Sequence, residues 1–426
     1  VDRSYLSPKI FQFRGAIIDS YEATYLLNLN TLLMSGNRQN DQSIYMDHAA
    51  TTPIDSAVFD SMLPYLKNHF GNPSSVHQLG RVARGALEDS RERIAKHFEA
   101  KPEQVIFTSG ATEANNLALN ILSNEDHLIT SKIEHKAVLE PASELAANGV
   151  EVTFLTPDPT TKNVEANQIS QSLRLNTRLV SLMYINNETG AMADLKKISK
   201  ICAQRDILLH TDAAQAAAWF PMTPQTINAD MISISGHKIY GPKGIGVLYI
   251  KDGIDLVPQI LGGPQERERR GGTENVAAAV GMATAMDMVA ENRDALSQRT
   301  HTLRQTLSEQ LRSVMGDQIV INTPSHAAPH ILNIAFKPVD NIPLDGEMLL
   351  LNLDIEGIFT SAGSACTSGA IMPSHVLLEM GLPEDTARAS LRLSIGRSTS
   401  TEDIEMTVGC INKVVQRMRG RRKHER

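Results

Sequence analysis

The sequence predicts an α/β protein, with a mostly parallel sheet covered by helices on both faces and a smaller α+β domain attached. Three observations carry that expectation. Between residues 45 and 290 short apolar, β-rich runs alternate with helical patterns, the order that builds crossover units. A long helical stretch follows over about 275–315, and strand-like runs then return without the alternation. A chain of 426 residues can bury one large core and a second, smaller one.

The elements follow in order. Residues 105–108 (Val-Ile-Phe-Thr) read as a strand, and 112–122 as a helix with Glu113 in its first turn. Residues 127–130 form the next strand, and 136–148 a helix that Gly149 can end. Strands are expected at 152–155 and 179–183, then a helix over 195–205 and a strand at 207–210. Runs 231–234 and 246–250 complete a seven-stranded sheet. Past the connector, strands at 331–336 and 391–395 and a helix over 402–418 make the α+β part. The expected division is an N-terminal extension over 1–42, a large domain over 55–292, and a small domain from 43–54 and 293–426. Val1 is not a start residue, and the extension reads as a leader or a disordered segment, with Met34 as a candidate start.

Bulk properties narrow the function. Hydrophobic residues make up 42% of the chain, and 48 acidic against 41 basic side chains give a formal charge of −7. That balance argues against direct nucleic-acid binding. The basic run Arg417 to Arg426 reads as a solvated tail. Cys202, Cys366 and Cys410 are widely spaced, so neither a disulfide framework nor a metal site is indicated, and a cytoplasmic location fits. No apolar run reaches the roughly 18 residues a membrane helix needs.

In parallel sheets ligands bind beyond the carboxyl ends of the strands, and the polar residues gather there. Ser109-Gly110-Ala111-Thr112 follows one strand, and Asn186-Asn187-Glu188 another. Asp212 ends a third, and Ser235-Gly236-His237-Lys238 a fourth. An amine that can form a Schiff base and a carboxylate that can pair with a pyridinium nitrogen are the minimum needed to hold pyridoxal phosphate. The Ser109–Thr112 turn opens a helix, where free N–H groups favour a phosphate; an ordinary Ser/Thr cap is the plainer reading. His135 fits a helix cap and an acid–base residue equally well. Cys366 sits among Gly363, Ser364, Ala365, Thr367, Ser368 and Gly369, the composition of an exposed loop, where a thiol can act as a nucleophile. Arg388, Arg392 and Arg397 are candidates for a substrate carboxylate. Strand parity does not choose between Arg388 and Arg392.

Together these residues resemble the NifS/IscS-type cysteine desulfurases of the class V aminotransferase group, over about residues 44–410. The resemblance rests on Tyr45-Met46-Asp47-His48-Ala49-Ala50-Thr51-Thr52-Pro53, Asn72-Pro73-Ser74-Ser75-Val76-His77, Ser109 to Asn116, Glu134-His135-Lys136 and Asn186 to Gly190. It continues through Asp212-Ala213-Ala214-Gln215, Ser235 to Gly244, Arg270 to Asn275 and Ser364 to Gly369. It implies the pyridoxal-phosphate transferase fold type I. Lys238 then carries the cofactor covalently. Ala111, Thr112, Ser235 and His237 bind its phosphate, joined by Thr273 of a second subunit in a homodimer. Asp212 pairs with the ring nitrogen, Gln215 with the phenolic oxygen, and Asn187 holds cofactor and substrate. His135 stacks on the ring as acid and base, and Arg388 binds the carboxylate of L-cysteine. Cys366 takes the sulfur as a persulfide and passes it to an acceptor protein, an iron–sulfur scaffold or another sulfur carrier, leaving L-alanine. The extension over 1–42 has no counterpart in the group, and Met372 replaces a commonly acidic residue. An aminotransferase or a selenocysteine lyase would share Lys238 but not need Cys366; a non-enzymatic sulfur-carrier scaffold would need neither.

Overall fold

The computed structural model describes residues 43–362 and 372–424, with side chains through residue 420. Residues 1–42 and the Cys366 segment lie outside the described residues. The chain divides into a unit ending at Ser43 and a unit over Ile44–Arg426, and the following concerns the second.

The elements run β1 (Ile44–Tyr45), α1 (Ser56–Lys67), α2 (Gln78–His97), β2 (Val105–Thr108), α3 (Ala111–Leu119), β3 (His127–Ser131), α4 (Lys136–Ala147), β4 (Glu151–Leu155), α5 (Ala166–Ser172), β5 (Thr177–Ser181), α6 (Leu195–Ala203), β6 (Leu208–Asp212), β7 (Met231–Ser235) and β8 (Gly246–Ile250). Then come α7 (Val276–Met315), β9 (Ile319–Ile321), β10 (Ile331–Phe336), α8 (Gly346–Ile355), β11 (Ile358–Phe359), α9 (His375–Glu379), α10 (Glu384–Arg388), β12 (Ser390–Ser394) and α11 (Thr401–His424).

The expected seven-stranded sheet is present in the order β2-β8-β7-β6-β5-β3-β4. Its pairs are parallel except those of β8, which runs antiparallel to β7 and to β2. Two reversals leave β2 pointing the same way as β7. The carboxyl ends of β2, β7, β6, β5 and β3 therefore open on one edge. Gly246 makes that edge tight, because a Cβ there would stand 2.6 Å from the Gly110 Cα. The fifth strand ends at Ser181 rather than Met183, and Leu182 to Asn187 leave the sheet as the loop that reaches the crevice.

Helices cover both faces. Val58, Leu87, Ile94 and Phe98 pack with Val105, Phe107, Ile129 and Val180 on one side. Leu117, Leu119, Val138 and Ala142 pack on Ile106, Leu128, Leu179 and Leu248 on the other. Helix α7 has 40 residues, about 60 Å at the helical rise of 1.5 Å. Its first half joins the sheet core through Ala278, Met282 and Met286. Its second half joins a separate core through Leu303, Leu307 and Leu311. That second core holds Ile44 and Met46 together with Leu332, Ile334, Leu391, Leu393, Ile404 and Ile411, behind the antiparallel sheet β12-β10-β9. Cys202 is buried in the sheet core and Cys410 packs half-buried against the second core. No helix of the described residues is long and apolar enough to cross a membrane.

One buried ion pair ties the turn after β8 to the sheet. Glu266, Arg267 and Glu268 all adopt positive φ, which costs non-glycine residues free energy. Glu266 is held there by both guanidinium nitrogens of Arg91 at 2.7 Å and by the Phe107 N–H at 2.9 Å. Both side chains of the pair are almost fully buried. Arg91→Met leaves the Glu266 carboxylate buried and without its cation, and is expected to destabilise the protein by about 3–5 kcal/mol. Thermal or urea unfolding checks this; a melting curve unchanged from wild type would show that the pair is dispensable.

Candidate active site

The strand ends surround a cavity of about 810 Å³. Ala111, Thr112, His135, Asn187, Asp212, Gln215, Ser235, His237 and Lys238 all line it. The sequence assembled these from separate loops, and the sheet order brings them together.

Lys238 follows β7 through one turn of 3₁₀ helix. Its Nζ donates to the carbonyls of Ala49 at 2.6 Å and Ala50 at 2.7 Å. Burial, then the positive charge of Arg392, push its pKa down to about 8 against the pull of Asp212 and Asp47. Much of this lysine is therefore neutral amine in mildly alkaline solution, the form that attacks a carbonyl.

Asp212 ends β6, nearly buried. Its Oδ2 accepts from Asn115 Nδ2 at 2.7 Å and its Oδ1 from the Ala214 N–H at 2.9 Å. Two donors fix the carboxylate plane beneath the cavity. Gln215 donates from Nε2 to the Ala49 carbonyl at 2.8 Å, and its Oε1 lies 3.1 Å from His330 Nε2. Its second amide hydrogen has no acceptor among the described residues and is left for a ligand oxygen. Two residues before Asp212, His210 is a core histidine held between Ser181 Oγ at 2.8 Å and Ser233 Oγ at 3.0 Å. Burial drives its pKa down to about 3.

Helix α3 starts at Ala111 with Gly110 as N-cap and no capping side chain, so its first N–H groups face the cavity edge without a side-chain partner. The Ser109 N–H is taken by Glu113 Oε2 at 2.7 Å, and Glu113 is held by Arg270. Ser235 and His237 line the same cavity, with Ser235 Oγ close beside Gly110. His237 Nδ1 lies 3.1 Å from Thr51 Oγ1, and burial with the charges of Lys238 and Lys243 lowers its pKa to about 4. A neutral imidazole, hydroxyls and open helical N–H groups form a donor set suited to a phosphate.

His135 realises the capping half of its two readings. Its Nδ1 accepts the Ala137 N–H at 3.0 Å, capping α4. The same ring borders the cavity, where solvent still reaches it while the surrounding walls, by desolvation, lower its pKa. Behind it Glu134 is buried, both carboxyl oxygens accepting from the Met183 N–H at 3.0 and 2.9 Å. Burial raises its pKa well above the ordinary value.

Three candidate residues, Arg388, Arg397 and Thr273, do not border the cavity. Arg388 is exposed at the end of α10 and pairs with Glu384 one turn back. The strand begins only at Ser390, so strand parity does not apply to Arg388. Within β12, Leu391 and Leu393 turn into the second core. Arg392 points the other way, into the cavity, buried, with Nη2 2.9 Å from Asp47 Oδ1 and Nη1 donating to the Asn187 carbonyl at 3.0 Å. Arg397 instead stacks on Tyr240 and pairs with Asp55. Thr273 is exposed and does not border the cavity of its own chain. Cys366 lies outside the described residues.

Sequence reasoning gave no role to Asn115, Glu188, His375 or the Ala49 and Ala50 carbonyls, all of which border the cavity. Asn115 could have been found, because it lies one turn after Ala111 on the helix that carries the phosphate loop. The carbonyls could not, because nothing local marks a main-chain acceptor.

The fold and this lysine–aspartate crevice define a class of protein, and comparison bears it out: the family profile "Aminotransferase class-V" matches residues 44–406. The chain belongs to that family, whose members use pyridoxal phosphate. Within it the chain is 40% identical over 383 residues to "Cysteine desulfurase IscS" of Dictyoglomus turgidum, a match spanning 89% of this chain and 96% of the relative. A solved structure described as "NIFS-LIKE PROTEIN" superposes with a TM-score of 0.80 at 31% identity, covering 88% of this chain and all of that one. Another, "SspA in complex with cysteine", gives a TM-score of 0.72 at 35% identity over 82% of this chain and 98% of that one.

Proposed function

We propose that this chain is a cysteine desulfurase that removes sulfur from L-cysteine, releases L-alanine and carries the sulfur as a persulfide on Cys366. The observation that carries the reading is one cavity holding Lys238, Asp212, Gln215 and the open N-terminus of α3. That donor set fits pyridoxal phosphate: an amine for the aldehyde, a carboxylate for the ring nitrogen and unpartnered N–H groups for the phosphate. Bound there, the cofactor supplies an electron sink at the substrate α-carbon.

The chain's own residues do the rest. Ala111, Thr112, Ser235 and His237 hold the phosphate, with Thr273 of a second copy completing it. Asp212 keeps the ring nitrogen protonated, and Asn115 orients Asp212. Gln215 donates to the phenolic oxygen, and Asn187 positions cofactor and substrate. His135 packs on the ring, its Nδ1 committed to the α4 cap. Arg392, in place of Arg388, binds the substrate carboxylate, with Asp47 holding the guanidinium plane. The domain division over 43–54 with 293–426 and over 55–292 belongs to the same reading, supported by the two cores. A homodimer is supported by the exposed apolar side chains Phe59, Leu66, Phe70, Val76 and Leu261 and by Thr273 facing away from its own cavity. The acceptor of the persulfide is a thiol-bearing sulfur carrier or iron–sulfur scaffold.

The test is direct. Purified protein loaded with pyridoxal phosphate and given L-cysteine with a thiol acceptor is expected to release alanine and sulfane sulfur in equal amounts. Absence of alanine, with the cofactor bound, overturns the reading.

A further inference from the structure

L-cysteine and L-alanine differ by one sulfur atom and by nothing else. The hydrogen carried by the substrate sulfur must therefore be matched by a new hydrogen on the β-carbon. Some group at the sulfur end of the cavity has to take a proton and give one back. The sequence assigned acid and base work to His135 alone, and the structure makes that difficult. Because His135 Nδ1 accepts the Ala137 N–H, its neutral ring carries its hydrogen on Nε2. In that state the Nδ1 lone pair is used by the cap and Nε2 carries the hydrogen. The ring can give a proton from Nε2, but it cannot take one without breaking the cap.

Besides His237, a further imidazole borders the same cavity and has the tautomer opposite to that of His135. His375, in the first turn of α9, lies with Nε2 3.1 Å from the main-chain carbonyl of Glu134. A carbonyl only accepts, so Nε2 carries the hydrogen and the neutral ring presents a lone pair at Nδ1. The helix start that carries the ring is also held. Ser374, the N-cap of α9, donates from its hydroxyl to Glu188 and accepts the Leu377 N–H at 3.2 Å. The residue that anchors the ring, Glu134, directly precedes His135, so one peptide segment sets both imidazoles in opposite states. The described chain resumes at Met372, which makes His375 the first cavity residue after the Cys366 segment.

We infer that His375 is the proton carrier at the substrate sulfur: its Nδ1 takes the thiol proton of L-cysteine and delivers it to the β-carbon. The inference rests on the desulfurase reading. In the step the carbon–sulfur bond breaks with its electron pair remaining on carbon, and the sulfur passes to the acceptor thiolate as sulfane sulfur. The S–H bond breaks with its pair on sulfur, and its proton moves to Nδ1 and then forms the new C–H bond. Reactants and products balance as L-cysteine plus thiolate giving L-alanine plus persulfide, with the imidazole restored. The acceptor thiolate is the only co-reactant.

The test uses cofactor-loaded enzyme with L-cysteine and a thiol acceptor. His375→Gln keeps an amide donor for the Glu134 carbonyl and removes the base. It is expected to lower kcat for alanine by about 10²-fold or more, with KM within a few-fold of wild type and an unchanged melting curve. In His375→Ala, added imidazole is expected to restore part of the lost rate. A His375→Gln enzyme with wild-type kcat overturns the inference, because the hydrogen bond alone then suffices. A His375→Ala enzyme that imidazole does not rescue overturns it too, including where the glutamine variant melts early. Wild-type enzyme that makes no alanine is a different result and removes the desulfurase reading itself.

Discussion

Lys238→Ala protein is expected to take up no pyridoxal phosphate covalently and to lose alanine formation by at least about 10³-fold, within the range for removal of one positioned catalytic group. Borohydride reduction in the presence of the cofactor labels the wild-type lysine and leaves the variant unlabelled. The effect is large because, among the described residues, Lys238 is the cavity amine set at the end of β7 beside Asp212. Lys136 and Lys243 also border the cavity, but of the three lysines it is Lys238 that donates to the Ala49 and Ala50 carbonyls and lies beside Asp212 and Arg392. Its pKa near 8, down from the ordinary 10.5, sets a pH signature. Covalent capture by wild-type protein accelerates as pH rises through about 8 and levels off above it. The same shift has a consequence for stability. Between pH 8 and 10.5 the unfolded chain binds the lysine proton and the folded chain does not. This group's contribution therefore favours folding more as pH rises across that window, and disfavours it by its full amount below it. Capture that rises only near pH 10.5 would mean that the amine is not desolvated, and the cavity would be wetter than its walls imply.

Cys366→Ala is the second large effect. Given L-cysteine with radiolabelled sulfur, wild-type protein is expected to acquire label that a reducing thiol removes, and the variant none. Alanine formation falls with it, because the reaction has lost its sulfur acceptor. Cofactor loading is expected to stay normal, since the donor set for the cofactor comes from Lys238, Asp212, Gln215 and the start of α3. Alanine formation untouched by the substitution would remove Cys366 as the acceptor and favour a selenocysteine lyase, with L-selenocysteine as the substrate to test next.

The seven strands of the large sheet were legible because each is a short run of apolar and β-branched residues bounded by turn formers, and a buried parallel strand needs little else. Helix α2 was not read. Its inward positions Gly80, Ala83, Leu87, Ser90, Arg91 and Ile94 keep helical spacing, yet only Leu87 and Ile94 among them carry a large apolar side chain. Arg91 is buried only because Glu266 meets it from a turn far along the chain, and no pattern in α2 announces that partner. That Arg392 rather than Arg388 borders the cavity was not legible for a related reason. Arg388 and Arg392 are equivalent if both lie in a strand, but a helix ends at Arg388 and β12 starts at Ser390, where it pairs with Ala335 of β10.

What the sequence by itself determined is the set of groups at the strand ends: Lys238, Asp212, Gln215, Asn187, His135 and the Ala111–Thr112 turn. Strand ends are local features, and in a parallel sheet they all face one edge. What only the tertiary structure decided is which distant groups complete that edge. Arg392, His375 and Asn115 acquire their places, and the Ala49 and Ala50 carbonyls meet the lysine amine, through contacts between elements far apart along the chain. Ala49 is 189 residues from Lys238. Hydrogen bonds and ion pairs at such separations depend on how the second core seats the first residues of the fold against the sheet, and a one-dimensional pattern carries no record of that geometry.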